Sequence, residues 1–239
     1  MMPHQDQPAL EGLVTRLRQR SGVVGIAVGG SVARGVVRVS SDLDVLIIVD
    51  VGDPSRVEAF RYAGRLTEAL FLREDILRDI VEDARGGVQT IATWAGARIL
   101  YDTNGRLGAL LAALETRHQR GPAPLTTEER DYALFEVAHV RALTEEIAAS
   151  PTSTDQATCR LLIASATRIV ADILLRRARR WPVGWRQTLS ALRVLDADVV
   201  TLAERALTAP ISDAVDAAQG LLDHAQHALD GLLCQSRDA

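Results

Sequence analysis

Two short apolar runs, GVVGIAV at 22–28 and VLIIV at 45–49, lie on either side of a Gly-Gly-Ser break and an Asp-x-Asp pair. No other segment constrains the fold as much. Runs this short, rich in β-branched residues, read as buried strands. Gly29, Gly30 and Ser31 stop the first, and DLDVLIIVD at 42–50 forms the second. Residues two apart on a strand point to one face, which sets the carboxylates of Asp42 and Asp44 side by side above the turn. At about 4 Å and an effective dielectric of roughly 20, such a pair repels by roughly 4 kcal/mol. A bare site would keep one of them protonated, and a divalent cation removes the conflict. Hard oxygen ligands beside a turn that admits phosphate to the backbone point to Mg²⁺ and a nucleotide.

The remaining periodicities extend this into an α+β chain, a small mixed sheet followed by a helical bundle. Leu10, Leu13, Val14 and Leu17 recur at helical spacing. Pro54 suits the first turn of a further helix reaching about Leu72. ILRDIVE at 76–82 reads as a third strand and ARILY at 97–101 as a fourth. GPAPL at 121–125 reads as a linker, dividing the chain into residues 1–121 and 122–239. Beyond it, Thr126 and Glu129 form a capping-box pattern. Leu162, Ala166, Ile169, Val170, Ile173 and Leu174 mark one face of a second helix. Pro151, Trp181-Pro182 and Pro210 separate helices, so a four- or five-helix bundle is expected.

Composition excludes more than it assigns. The net charge of −4 and 4% aromatic content disfavour nucleic acid as a partner. The polar N-terminus and the lack of any apolar run near 18 residues disfavour a signal peptide or membrane span, making the cytoplasm the expected setting. Cys159 and Cys234 form no ligand or redox motif. All 27 basic residues are arginine. Walker-type NTPases and protein kinases, which need a phosphate-binding lysine, are therefore excluded, as are Schiff-base enzymes.

Gly29-Gly30-Ser31 and Ser41-Asp42-Leu43-Asp44, with Ser31 and Asp42 eleven positions apart, resemble the signature of the DNA-polymerase-β-like nucleotidyltransferase superfamily. The intervening Ala33-Arg34-Gly35 resembles its minimal and antibiotic-modifying branches. The resemblance implies that Gly29, Gly30, Ser31 and Arg34 meet the triphosphate, and that Asp42 and Asp44 bridge two Mg²⁺ ions. It also implies a third carboxylate on a neighbouring strand, for which Asp79 in ILRDIVE is the choice, with Glu82 and Asp83 as substitutes. Arg186 stands where antibiotic-type members carry a phosphate-contacting lysine. Glu136, with Glu145 behind it, is the candidate base from the helical half.

The activity so implied is transfer of a nucleoside monophosphate, AMP from ATP or another NTP, to a hydroxyl of a small molecule such as an aminoglycoside or lincosamide, with release of pyrophosphate. Antibiotic resistance is the role this suggests, with a homodimer as a compatible assembly. A protein or tRNA acceptor of the toxin–antitoxin kind and a non-catalytic nucleotide-binding module are the rival readings.

Overall fold

A computed structural model of the chain describes residues 7–35, 42–53, 55–83, 87–149, 153–184 and 187–235. The chain divides into two compact units, Met1–Gly121 and Pro122–Ala239. In the first, helix α1 (Gln7–Leu17) precedes β1 (Val23–Val28), the four-residue α2 (Gly30–Ala33) and β2 (Leu43–Val49). Then come β3 (Ser55–Tyr62), β4 (Arg65–Arg73), α3 (Glu74–Glu82), α4 (Val88–Trp94), β5 (Arg98–Asp102) and α5 (Arg106–Arg120). The sheet order is β3-β4-β2-β1-β5. Only β2 and β4 run parallel; the other neighbours are antiparallel.

The apolar runs fill the centre of this sheet. Leu43, Val45, Ile47 and Val49 alternate onto one face with Ile26, Val28, Ala69 and Phe71, where Leu10, Leu13 and Leu17 of α1 cover them. Leu46 and Ile48 turn to the other face and are equally buried, along with Leu77, Ile91, Trp94 and Leu107 from α3, α4 and α5. A strand covered on both sides reads as a continuous apolar run, which is why 45–49 shows no alternation.

Two expectations fail here. The segment 55–73 is a hairpin and not a helix, and Pro54 itself lies outside the described residues. Ala63 (φ 48°) and Gly64 (φ 79°) are both left-handed, the backbone of a two-residue loop whose twist matches its strands. Arg, Leu, Glu and Ala in RLTEALFLR are good helix formers, but β4 is a central strand with ladders to β3 and β2. Its Thr67, Ala69 and Phe71 alternate into the core. The second failure is ILRDIVE, which lies in α3. Ile76, Leu77, Ile80 and Val81 recur at helical spacing. Glu74 and Asp75 sit favourably in the first turn. The buried Glu74 pairs with Arg78 one turn on (2.6 Å) and with Arg106 of α5.

The second unit contains α6 (Thr127–Ala149), α7 (Ser153–Arg177), α8 (Thr188–Leu195), α9 (Ala197–Thr208) and α10 (Ile211–Gln235) among the described residues. Ala166, Val170 and Ile173 of the anticipated α7 face are buried with Ile163, and Ile169 and Leu174 pack at their flank. On α10, Ala214, Ala217, Ala218, Ala225 and Ala228 are all in the core. The capping box is reciprocal: Thr126 N–H donates to Glu129 Oε2 (2.7 Å), and Glu129 N–H donates to Thr126 Oγ1 (3.0 Å). Thr126→Ala is expected to cost about 1 kcal/mol, read as a lower urea midpoint with an unchanged slope. No helix among the described residues is long and apolar enough to cross a membrane.

Candidate active site

The glycine turn and the acid-bearing strand are joined directly. Gly29 N–H donates to the carbonyl of Asp44 at 3.0 Å, which hangs the turn on the start of β2. Gly30 has φ +59°, and a Cβ there would overlap Asp44 Oδ2. A Cβ on Gly29 would stand 2.7 Å from the Trp94 indole. Both glycines are thus demanded by close approach, one to the carboxylate and the other to the ring. Ser31 lies half-buried in α2, whose backbone closes through Ala33 N–H to Gly29 O (3.2 Å) and Arg34 N–H to Gly30 O (3.4 Å).

Register brings a third acid to this point. β2 and β4 pair in parallel with Asp44 opposite Glu68, and neighbouring strands lie about 4.8 Å apart. Asp42, one residue before β2, and Glu68 are exposed, whereas Asp44 is partly buried. The Asp44 carboxyl is held above its ordinary range, first by burial, then by the charges of Glu68 and Asp42; Arg34 acts in the opposite sense. Asp42, Asp44, Glu68 and Arg34 therefore share one electrostatic environment.

These residues suit a divalent cation in kind. Two acids, Asp42 and Glu68, crowd the desolvated Asp44 carboxylate, and a bound cation would relieve that repulsion. Among the described residues, no group of three His, Cys, Asp or Glu side chains is already gathered to hold a metal ion. What the backbone sets is the adjacency of positions 44 and 68.

The other candidates fall elsewhere. Asp79 is exposed on α3, so its claim to be the third carboxylate loses the strand on which it rested. Glu82 ends the same helix and Asp83 caps it. Glu136 is half-buried on α6 of the second unit. Arg186 lies outside the described residues. Asp102 accepts from the backbone N–H groups of Asn104 (3.4 Å) and Gly108 (2.9 Å), which ties β5 to the start of α5. Glu68 is an acid beside Asp44 that the sequence alone did not place there. Its signal was the period-two burial of Thr67, Ala69 and Phe71 after the Ala63-Gly64 turn, hidden by a helix-favouring composition.

A five-stranded mixed sheet, with a glycine turn bonded to the start of an acid-bearing strand, defines an α+β domain. Residues 10–92 match the nucleotidyltransferase domain family, which supports a transferase. Among solved structures, it is similar to a nucleotidyltransferase-like protein from Exiguobacterium sibiricum 255-15. The two share 16% identity over 94% of this chain and 74% of that one, with a TM-score of 0.47. No curated protein matches the chain.

Proposed function

We propose that the protein transfers a nucleoside monophosphate, AMP from ATP in the simplest case, to a hydroxyl of a small molecule in an Mg²⁺-dependent reaction. The acceptor oxygen forms a bond to the α-phosphorus, the bond from that phosphorus to the bridging oxygen breaks, and pyrophosphate leaves. The observation that carries this reading is the adjacency of Asp44 and Glu68 in the β2–β4 register, beside Asp42 and against the Gly29-Gly30 turn. Asp42, Asp44 and Glu68 would hold Mg²⁺, which would offset the charge building on the phosphate oxygens.

The chain's own residues bind and orient the nucleotide. Gly29 and Gly30 let the backbone reach phosphate without an intervening Cβ. The Ser31 hydroxyl donates to a phosphate oxygen, and the Arg34 guanidinium offsets negative charge. An amine-bearing acceptor such as an aminoglycoside, or a lincosamide, suits a protein with net charge −4.

The test is transfer of label from α-labelled NTPs to a panel of these acceptors. Wild type is expected to label a small-molecule hydroxyl. Asp42→Asn and Glu68→Gln should lose roughly 10²–10³-fold in rate, the scale of removing one charge-stabilising group. Asp79→Asn should stay near wild type. Equal labelling by Asp42→Asn would refute the metal role, and label found on protein would move the acceptor to a macromolecule.

A further inference from the structure

We propose that the first unit holds a second anion site, remote from the acids, which takes a small hydrogen-phosphate group. At the acid end of the sheet Val28 pairs with Val45; at the opposite end Val23 pairs with Val49. There a cavity of about 190 Å³ opens, lined by Arg20, Ser21, Val49, Asp53, Arg56 and Phe71 among others. At about 30 Å³ per water, this is room for roughly six waters. That admits a phosphate group and its hydration but not a nucleoside triphosphate.

Its cationic wall is ordered in advance. Arg20 and Arg56 both lie over the Phe71 ring, with Cζ 5.1 and 4.2 Å from its centroid. Glu58 of β3 accepts two hydrogen bonds from Arg20 Nη1 (2.8 and 2.7 Å) and lies 3.1 Å from Arg56 Nε. One carboxylate thus orients two guanidiniums and neutralises only one of them. Arg56 meets Glu58 through Nε, not through its terminal nitrogens, and lines the cavity. Stacking and pairing have already removed the freedom that an arginine loses on meeting an oxyanion, and the guanidinium fork matches phosphate geometry.

Asp53 lines the same cavity and selects among anions. Its ionised carboxylate repels a fully deprotonated oxyanion but accepts a hydrogen bond from the P–OH of hydrogen phosphate. Sulfate has no such proton at neutral pH. Phosphate is therefore expected to bind and sulfate to be rejected, the discrimination resting on one acceptor. The group arrives as the inorganic ion, since a phosphomonoester at neutral pH is, like sulfate, largely a dianion without a P–OH.

Thermal unfolding of the full chain without nucleotide or divalent metal tests this, titrating sodium phosphate, glycerol phosphate, sulfate and chloride at equal ionic strength. Phosphate should raise the wild-type midpoint saturably where glycerol phosphate, sulfate and chloride do not. Arg56→Gln should weaken phosphate about tenfold or more, the loss of one charge-assisted contact. Arg56→Lys, which keeps the charge without the fork, should fall between and serves if the glutamine variant does not fold. Asp53→Asn should let sulfate match phosphate, and Arg34→Gln should respond as wild type. The proposal is overturned by the absence of a phosphate-specific rise, or by a rise indifferent to position 56. It is equally overturned by a rise abolished at Arg34, which would place the ion at the glycine turn, or by sulfate rejection that survives Asp53→Asn.

Discussion

Asp44→Asn will lose nucleotidyl transfer by roughly 10³-fold or more and, at neutral pH, unfold at a higher temperature than wild type. Both effects have one cause. Asp44 is partly buried between Glu68 and Asp42, and burial and those two charges push its carboxyl above the ordinary range, with Arg34 giving partial relief. A carboxyl whose folded pKa exceeds its unfolded one adds stability only while protonated. That contribution is complete below the unfolded value, about 3.9, and is lost as pH rises through the raised folded value. At pH 7 the ionised group is therefore a cost to the fold, and asparagine removes it together with the charge the reaction needs. Paired melts at pH 7 and near pH 3.5 check the sign: the variant's advantage should be present at the first and vanish at the second. Identical melting at pH 7 would mean that the acids are not crowded. Function placed at the expense of stability is the expected character of such a site.

The second large effect is Gly30→Ala. Alanine at φ +59° carries about 1–2 kcal/mol of backbone strain, and its Cβ would overlap the Asp44 carboxylate. Since Gly29 N–H is bonded to the Asp44 carbonyl (3.0 Å), turn and strand move together and the strain has no soft outlet. A total loss of roughly 2–4 kcal/mol is expected, in the range of strain combined with a core clash. Activity should fall about 10²-fold in the fraction that remains folded, the scale of a 1 Å misplacement of reacting groups. Gly64→Ala is the control. Gly64 is also left-handed, at φ +79°, but nothing lies within 4 Å of a Cβ there. It should show the backbone strain alone and full activity. If both variants lose activity alike, displacement of Asp44 is not the cause.

The two halves of the candidate site were unequally legible. The Gly29-Gly30-Ser31 turn and the Asp42, Asp44 spacing are local features, read from a period of two and a break between apolar runs. The Thr126–Glu129 cap is equally local, and its hydrogen bonds form as the four-residue pattern implies. Glu68 was not legible. It lies in RLTEALFLR, whose residues favour a helix by a few tenths of a kcal/mol each. That preference is outweighed by hydrogen-bonded ladders on both edges of β4 and by the burial of Ala69 and Phe71. ILRDIVE erred in the opposite direction: its β-branched content suggested a strand, while the spacing of Ile76, Leu77, Ile80 and Val81 and the Glu74 ion pairs hold it as α3.

By itself, then, the order of residues determined where the glycine turn falls and that two carboxylates stand two positions apart where the second strand opens, from which phosphate and a divalent cation are the chemistry expected. That Glu68 stands beside Asp44 was decided only in three dimensions. The β2–β4 register that sets Glu68 beside Asp44 is a pairing between segments distant along the chain. Its free energy comes from two neighbouring strands and a shared core, which no window of local sequence contains.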